Sequence, residues 1–148
     1  MSETDNILKK YNWPIKETVD SLDFKEIENR IGFELPDDYK EFLRKYSFYE
    51  TQIGEESFKL WAFDKLLEWN EGYEIIENLK NTIGIGDNRG GEFIGLEKLA
   101  DGKKRIILIP FIDLDKEYHI EIGDSFSDFL RRMDNGVKRF DEIDMKWR

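Results

Sequence analysis

Between Thr82 and Ile122 the sequence changes its hydrophobic period, and that change limits the architectures open to the chain. Outside this stretch, Phe58 to Phe63 apart, the clear apolar patterns recur at helical spacing; within it they alternate, or run in short pieces divided by glycine. Thr82-Ile83-Gly84-Ile85-Gly86 leads into the turn-rich Asp87-Asn88-Arg89-Gly90-Gly91, and Glu92-Phe93-Ile94-Gly95-Leu96 reads as a second strand. Asp101-Gly102 is a hairpin signal. The apolar run Arg105-Ile106-Ile107-Leu108-Ile109 belongs at the centre of a sheet. Tyr118, Ile120 and Ile122 alternate with His119 and Glu121, the pattern of a strand with one wet face.

Helical signals flank this block. Tyr39, Phe42, Leu43 and Tyr46 form one apolar stripe over Pro36 to Tyr46. Pro36 suits the first turn, and Asp37 and Asp38 complement the positive end of the helix dipole. Ser125 is a good N-cap with Asp128 three residues on, and Phe126, Phe129, Leu130 and Met133 make the buried stripe up to Asn135-Gly136. Ile27 and Ile31 mark a shorter helix from Asp23 that Gly32 ends. Phe58 to Phe63 begins as a strand. After Asp64, Leu66, Trp69, Tyr73 and Ile76 follow helical spacing, with Gly72 as a weak point. Ile7, Leu8, Tyr11 and Trp13 anchor a polar start that Pro14 keeps from forming a long helix. The sum predicts an α+β fold, a mostly antiparallel sheet with helices packed on one face. A lead-in over residues 1–22 precedes a single domain over residues 23–148.

Thirty-three acidic residues against 23 basic ones leave a formal charge of −10. A nucleic-acid binder brings a basic patch to phosphates, and an anionic membrane repels this surface, so neither is an expected partner. The charge suits a basic protein partner, or simply solubility. The absence of cysteine excludes disulfides and thiol catalysis. A polar, acidic start and no apolar run of about 20 residues predict a cytoplasmic protein.

Catalytic chemistry is hard to place. The single histidine, His119, lies on an alternating strand and reads as an exposed strand residue. Gly84-Ile85-Gly86-Asp87-Asn88-Arg89-Gly90 has the spacing of a phosphate loop only superficially: Arg89 stands at the third glycine position and a strand follows where a helix is required. Asp113 and Asp115 lack a histidine partner and read as a solvated turn. No catalytic residue, metal or cofactor is expected.

Four segments in order resemble the SUKH superfamily, which includes the fungal Smi/Knr cell-wall-synthesis regulators and many bacterial immunity proteins. They are Ile27-Glu28-Asn29-Arg30-Ile31-Gly32-Phe33-Glu34-Leu35-Pro36-Asp37-Asp38-Tyr39-Lys40-Glu41-Phe42-Leu43; Leu60-Trp61 through Glu68-Trp69-Asn70; Ile85-Gly86-Asp87-Asn88-Arg89-Gly90-Gly91-Glu92-Phe93; and Asp124-Ser125-Phe126-Ser127-Asp128-Phe129-Leu130. Arg89 departs from the pattern, where family members often carry another glycine. The resemblance runs from about Asp23 to Met133. It implies a domain without enzymatic activity that binds protein: in bacteria an immunity protein that neutralises a cognate toxin domain, often a nuclease. The alternative is a regulatory binding module or scaffold in cell-wall or stress regulation.

Two surfaces are candidates for partner binding. One is the acidic side of the helix after Asp64, with Glu68, Glu71 and Glu74 and the interleaved Leu67 and Ile75, an apolar anchor with a charged rim. Its structural alternative is a segment that is irregular or packed on both sides. The other is the turn bearing Asp87, Asn88 and Glu92, whose alternative is a plain hairpin turn. Trp61 and Trp69 read as core.

Overall fold

The computed structural model describes residues 3–16, 22–47, 49–53, 56–88, 91–112, 114 and 118–135. Their order is α1 (Glu3–Lys10), α2 (Lys25–Ile31), α3 (Asp37–Lys45), β1 (Tyr49–Ile53), β2 (Glu56–Leu60), α4 (Phe63–Gly72), α5 (Ile75–Asn78), β3 (Thr82–Asp87), β4 (Glu92–Lys98), β5 (Lys104–Pro110), β6 (Ile120–Gly123) and α6 (Phe126–Asn135). The six strands form one antiparallel meander, each paired with its neighbours in sequence. Arg89 and Gly90 of the turn, Asp113, Asp115 and Gly136 lie outside the described residues.

The strongest sequence signals hold. Pro36 caps α3, Asp37 and Asp38 occupy its first turn and Arg44 and Lys45 its last, and Tyr39, Phe42 and Leu43 are buried. Gly32 closes α2 with φ 84°, a left-handed conformation that glycine adopts without a Cβ penalty. At the start of α6 the Asp128 N–H donates to Ser125 Oγ at 3.0 Å while Asp128 Oδ2 accepts from the Asp124 N–H at 2.8 Å, a reciprocal cap.

The α+β expectation is met, with one addition to how the sheet is covered. α6 meets it at Gly123, where an added Cβ would lie 2.7 Å from Phe129. Phe58 of β2 packs on Phe129, and Trp13 packs on Phe58 and on Phe42 of α3. Gly123 is paired with Ile106. Gly84, which faces α4 and α5, is paired with Gly95 and through it with Ile107. Successive residues of a strand point to opposite faces, so α6 with α3 and the α4–α5 pair cover opposite faces. β3 is accordingly buried along its whole length.

Two expectations are corrected. The single helix through Leu66, Trp69, Tyr73 and Ile76 is two, because the chain kinks after Gly72 and Glu74 takes φ 58° before α5. His119 is not an exposed strand residue: it precedes β6, is buried, and its Nε2 lies 2.9 Å from the Leu114 carbonyl oxygen.

Residues before the domain boundary expected at position 23 also contribute to this core. Leu8 and Trp13 are buried. Thr4 bonds Ser127, Lys10 and Tyr11 both donate to Asp134, and Tyr46 donates to Asp5.

Candidate protein-interaction surface

The surface is organised from below by Asn70. Among the described residues β2 pairs with β3 at Lys59–Asp87 and Leu60–Gly86 and then peels away into α4, which leaves the free side of Gly84 without a strand partner. The buried side chain of Asn70 takes that place. Its Oδ1 accepts from the Gly84 N–H at 2.6 Å, and its Nδ2 donates to the Gly84 oxygen at 2.9 Å and the Leu66 oxygen at 2.7 Å. A buried backbone N–H or C=O left without a partner costs about 1–3 kcal/mol, so this one amide fixes α4 on the sheet. Glycine is needed here for approach: an added Cβ at Gly84 would lie 2.9 Å from both Trp61 and Ile75.

Trp61, held beside it, bonds Asp87 through Nε1 at 3.0 Å in the buried interior, and Lys59 Nζ stands 3.7 Å from the same carboxylate. From Trp61 a ladder of rings leads outward. Trp69 meets it edge-on with centroids 5.2 Å apart; Tyr73 lies nearly parallel to it at 6.1 Å; Phe111 follows at 4.5 Å from Tyr73 and Phe93 at 5.2 Å from Phe111. Trp61 and Phe93 are buried, whereas Tyr73 is 51% exposed and Ile112, next to Phe111, is 95% exposed. Rigid rings anchored in the core at both ends, by Trp61 and Phe93, and open between them at Tyr73 make a preorganised contact patch.

The eight residues expected to bind a partner fall into four groups. Glu68, Glu71 and Glu74 are exposed, but the kink takes Glu74 off the helical face of the other two. Glu68 lies 3.8 Å from Lys65 and Glu71 pairs with Arg30 of α2 at 2.8 Å. Leu67 is half-buried and lines an open groove with Ile27 and Phe63. Ile75 is 0% exposed and Asp87 9%, so neither presents its side chain to a partner; Ile75 packs over Gly84 and Asp87 is taken up by Trp61 and Lys59. Asn88 and Glu92 bond each other across the turn, Asn88 donating through Nδ2 and accepting from the Glu92 N–H.

The ladder joins the two expected surfaces. Tyr73 adjoins Glu74, and the Phe111 N–H donates to the Gly91 oxygen of the β3–β4 turn at 2.9 Å. Sequence reasoning missed Tyr73 and Ile112 as exposed residues and Phe111 as the half-buried ring next to them. Tyr73 fitted the buried helical stripe only if the helix ran straight through Gly72.

A second polar cluster, in an open groove of about 460 Å³ between α1 and α3, is engaged internally. Asp38 accepts from the Ser127 N–H and hydroxyl, and burial followed by the Asp5 carboxylate pushes the Tyr46 phenol well above its usual range. It reads as a structural tie.

The sequence pattern of the SMI1 / KNR4 family (SUKH-1) matches residues 18–132, most of the chain. The chain belongs to the SMI1/KNR4 family. No curated protein matches it. SMI1/KNR4 domains of the SUKH-1 type are commonly immunity proteins and are generally non-catalytic. The matched span begins after α1 and ends inside α6, so α1 lies outside the SMI1/KNR4 match although it packs on α6. Among the described residues no group of three or more His, Asp or Glu could hold a metal ion, and no helix is long and apolar enough to cross a membrane.

Proposed function

We propose that this SMI1/KNR4 domain is a non-enzymatic immunity protein that binds and neutralises a cognate, basic toxin domain, of which a nuclease is the type that fits best. The observation that carries the reading is the exposed part of the aromatic ladder, Tyr73 with the half-buried Phe111 and the adjoining Ile112, set beside Glu74 on one side and the Asn88–Glu92 turn on the other. Aromatic anchors supply most of the binding energy of a typical interface, and surrounding charges steer encounter and choose the partner. Nuclease domains are commonly basic because they bind phosphate, and a net charge of −10 favours docking on such a surface.

The test is genetic first. The gene next to this one is expressed in cells with and without this protein, and growth is followed. Killing by the neighbour's C-terminal domain and rescue by this chain support the reading. The absence of a toxic neighbour, or of rescue, sinks it and favours a regulatory binding module, for which pull-downs should return several weak partners.

A further inference from the structure

We infer that Glu74 is the charge-reading residue of the aromatic patch, and that it receives a guanidinium group from an arginine of the partner. This rests on the protein-binding reading above and adds to it a named residue and a partner chemistry.

Three residues other than glycine have positive φ among those described: Asn12 at 62°, Asn81 at 58° and Glu74 at 58°. Two are asparagine, one of the few side chains that tolerate the left-handed region. Glu74 is the exception. The conformation is imposed on it, because its N–H donates to the Glu71 oxygen at 3.1 Å and its own oxygen accepts from the Asn78 N–H at 3.2 Å and from Asn78 Nδ2 at 2.8 Å. The kink also sends Ile75 into the core at 0% exposure. Glycine, asparagine or aspartate would meet the same backbone demand with less strain.

What glutamate adds there is its carboxylate, and the fold makes no use of it. Glu74 is exposed, and no described residue bonds or pairs with its side chain, whereas Glu71 has Arg30 and Glu68 has Lys65. The neighbouring Tyr73 is half-exposed and braced by Trp61 and Phe111. A carboxylate beside a braced aromatic ring complements the guanidinium, which pairs with carboxylates and packs its plane against rings. The ammonium of lysine, more strongly hydrated, fits this pairing less well. A chain of charge −10 also selects a cationic partner over an anionic one.

The experiment has two readouts on the intact chain. The first is thermal stability of Glu74→Gly, Glu74→Asn, Glu74→Asp and Glu74→Gln. Relief of the left-handed strain should raise the melting temperature of the Gly, Asn and Asp variants by about 2–4 °C, with no gain for Gln. The second is NMR of labelled protein titrated with N-acetylarginine amide, its lysine counterpart and the uncharged citrulline analogue. Arginine should shift the amides of Tyr73, Glu74 and Phe111 saturably, with a Kd on the order of millimolar, as a fragment of this size allows. Citrulline should give no such response, lysine a weaker one, and only Glu74→Asp among the variants should keep it. Equal shifts with citrulline, an unchanged response in Glu74→Gln, or shifts spread evenly over the acidic surface would overturn the inference. The general reading is judged separately: if Tyr73→Ala with Ile112→Ser abolishes the toxin complex while Glu74→Gln leaves it intact, the patch stands and the role given to Glu74 does not.

Discussion

Asn70 bonds three backbone groups with one amide, and its two bonds to Gly84 replace those that a strand would have supplied. Asn70→Ala should therefore cost about 3 kcal/mol in denaturant unfolding, more than truncating the exposed Glu68 of the same helix. Asn70→Asp keeps the volume but sets a carboxylate against two carbonyl oxygens, and should be the worse variant at neutral pH. Acid dependence has its own residues. Burial pushes the Asp134 carboxyl up, but the bonds from Lys10 and Tyr11 outweigh it, and the group titrates below its usual range. Its stabilisation is therefore present above the unfolded carboxylate value of about 3.9 and is lost as pH falls through the lower native value. Asp134→Asn should be destabilised at pH 7 and converge on the parent at about pH 2, as chemical denaturation at the two pH values will show. Of these residues, Asn70 and Trp61 stood out in sequence within the resemblance, but their bonds did not. Ile75 was misplaced because helical spacing was extended through Gly72, and because a glutamate at the kink gives none of the glycine or asparagine signal that marks a left-handed turn. Asp87 was misplaced because its bond from Trp61 spans 26 residues and leaves no local signal.

At the scale of elements, α3, α6 and β3 to β5 were legible because each carries a strong period or an apolar run that only one placement buries. β1 falls outside the sequence expectations, although Tyr49, Thr51 and Ile53 alternate with Glu50 and Gln52. The two covered faces of the sheet could not be read from periodicity, since they follow from where β2 leaves β3. Gly86 marks that point: an added Cβ would lie 2.3 Å from the Lys59 backbone oxygen, so Gly86→Ala should force β2 from β3 and cost about 1–3 kcal/mol in equilibrium unfolding. The lead-in makes a stronger prediction. α1 and the turn after it bury Ile7, Leu8 and Trp13, each worth about 1.5–3 kcal/mol. A chain lacking residues 1–16 should lose most of its stability, visible as an early, broadened thermal transition; an unchanged melting temperature would show α1 to be an appendage.

For the whole molecule the account joins a family, a charge and a patch. SMI1/KNR4 membership gives the domain type, the charge of −10 suits a basic partner, and the exposed part of the ladder is the docking point we propose. Electrostatic steering falls with ionic strength, so association with a basic toxin should slow markedly as salt rises while dissociation changes little. The measurement that tests this most directly is the affinity of the neighbouring toxin domain for the parent chain and for Tyr73→Ala with Ile112→Ser. Both substituted side chains are exposed, so the fold should lose little. The account predicts a loss of about 30-fold or more, as for a binding hot spot, together with loss of growth rescue. Parental affinity and full rescue by the double variant would contradict it.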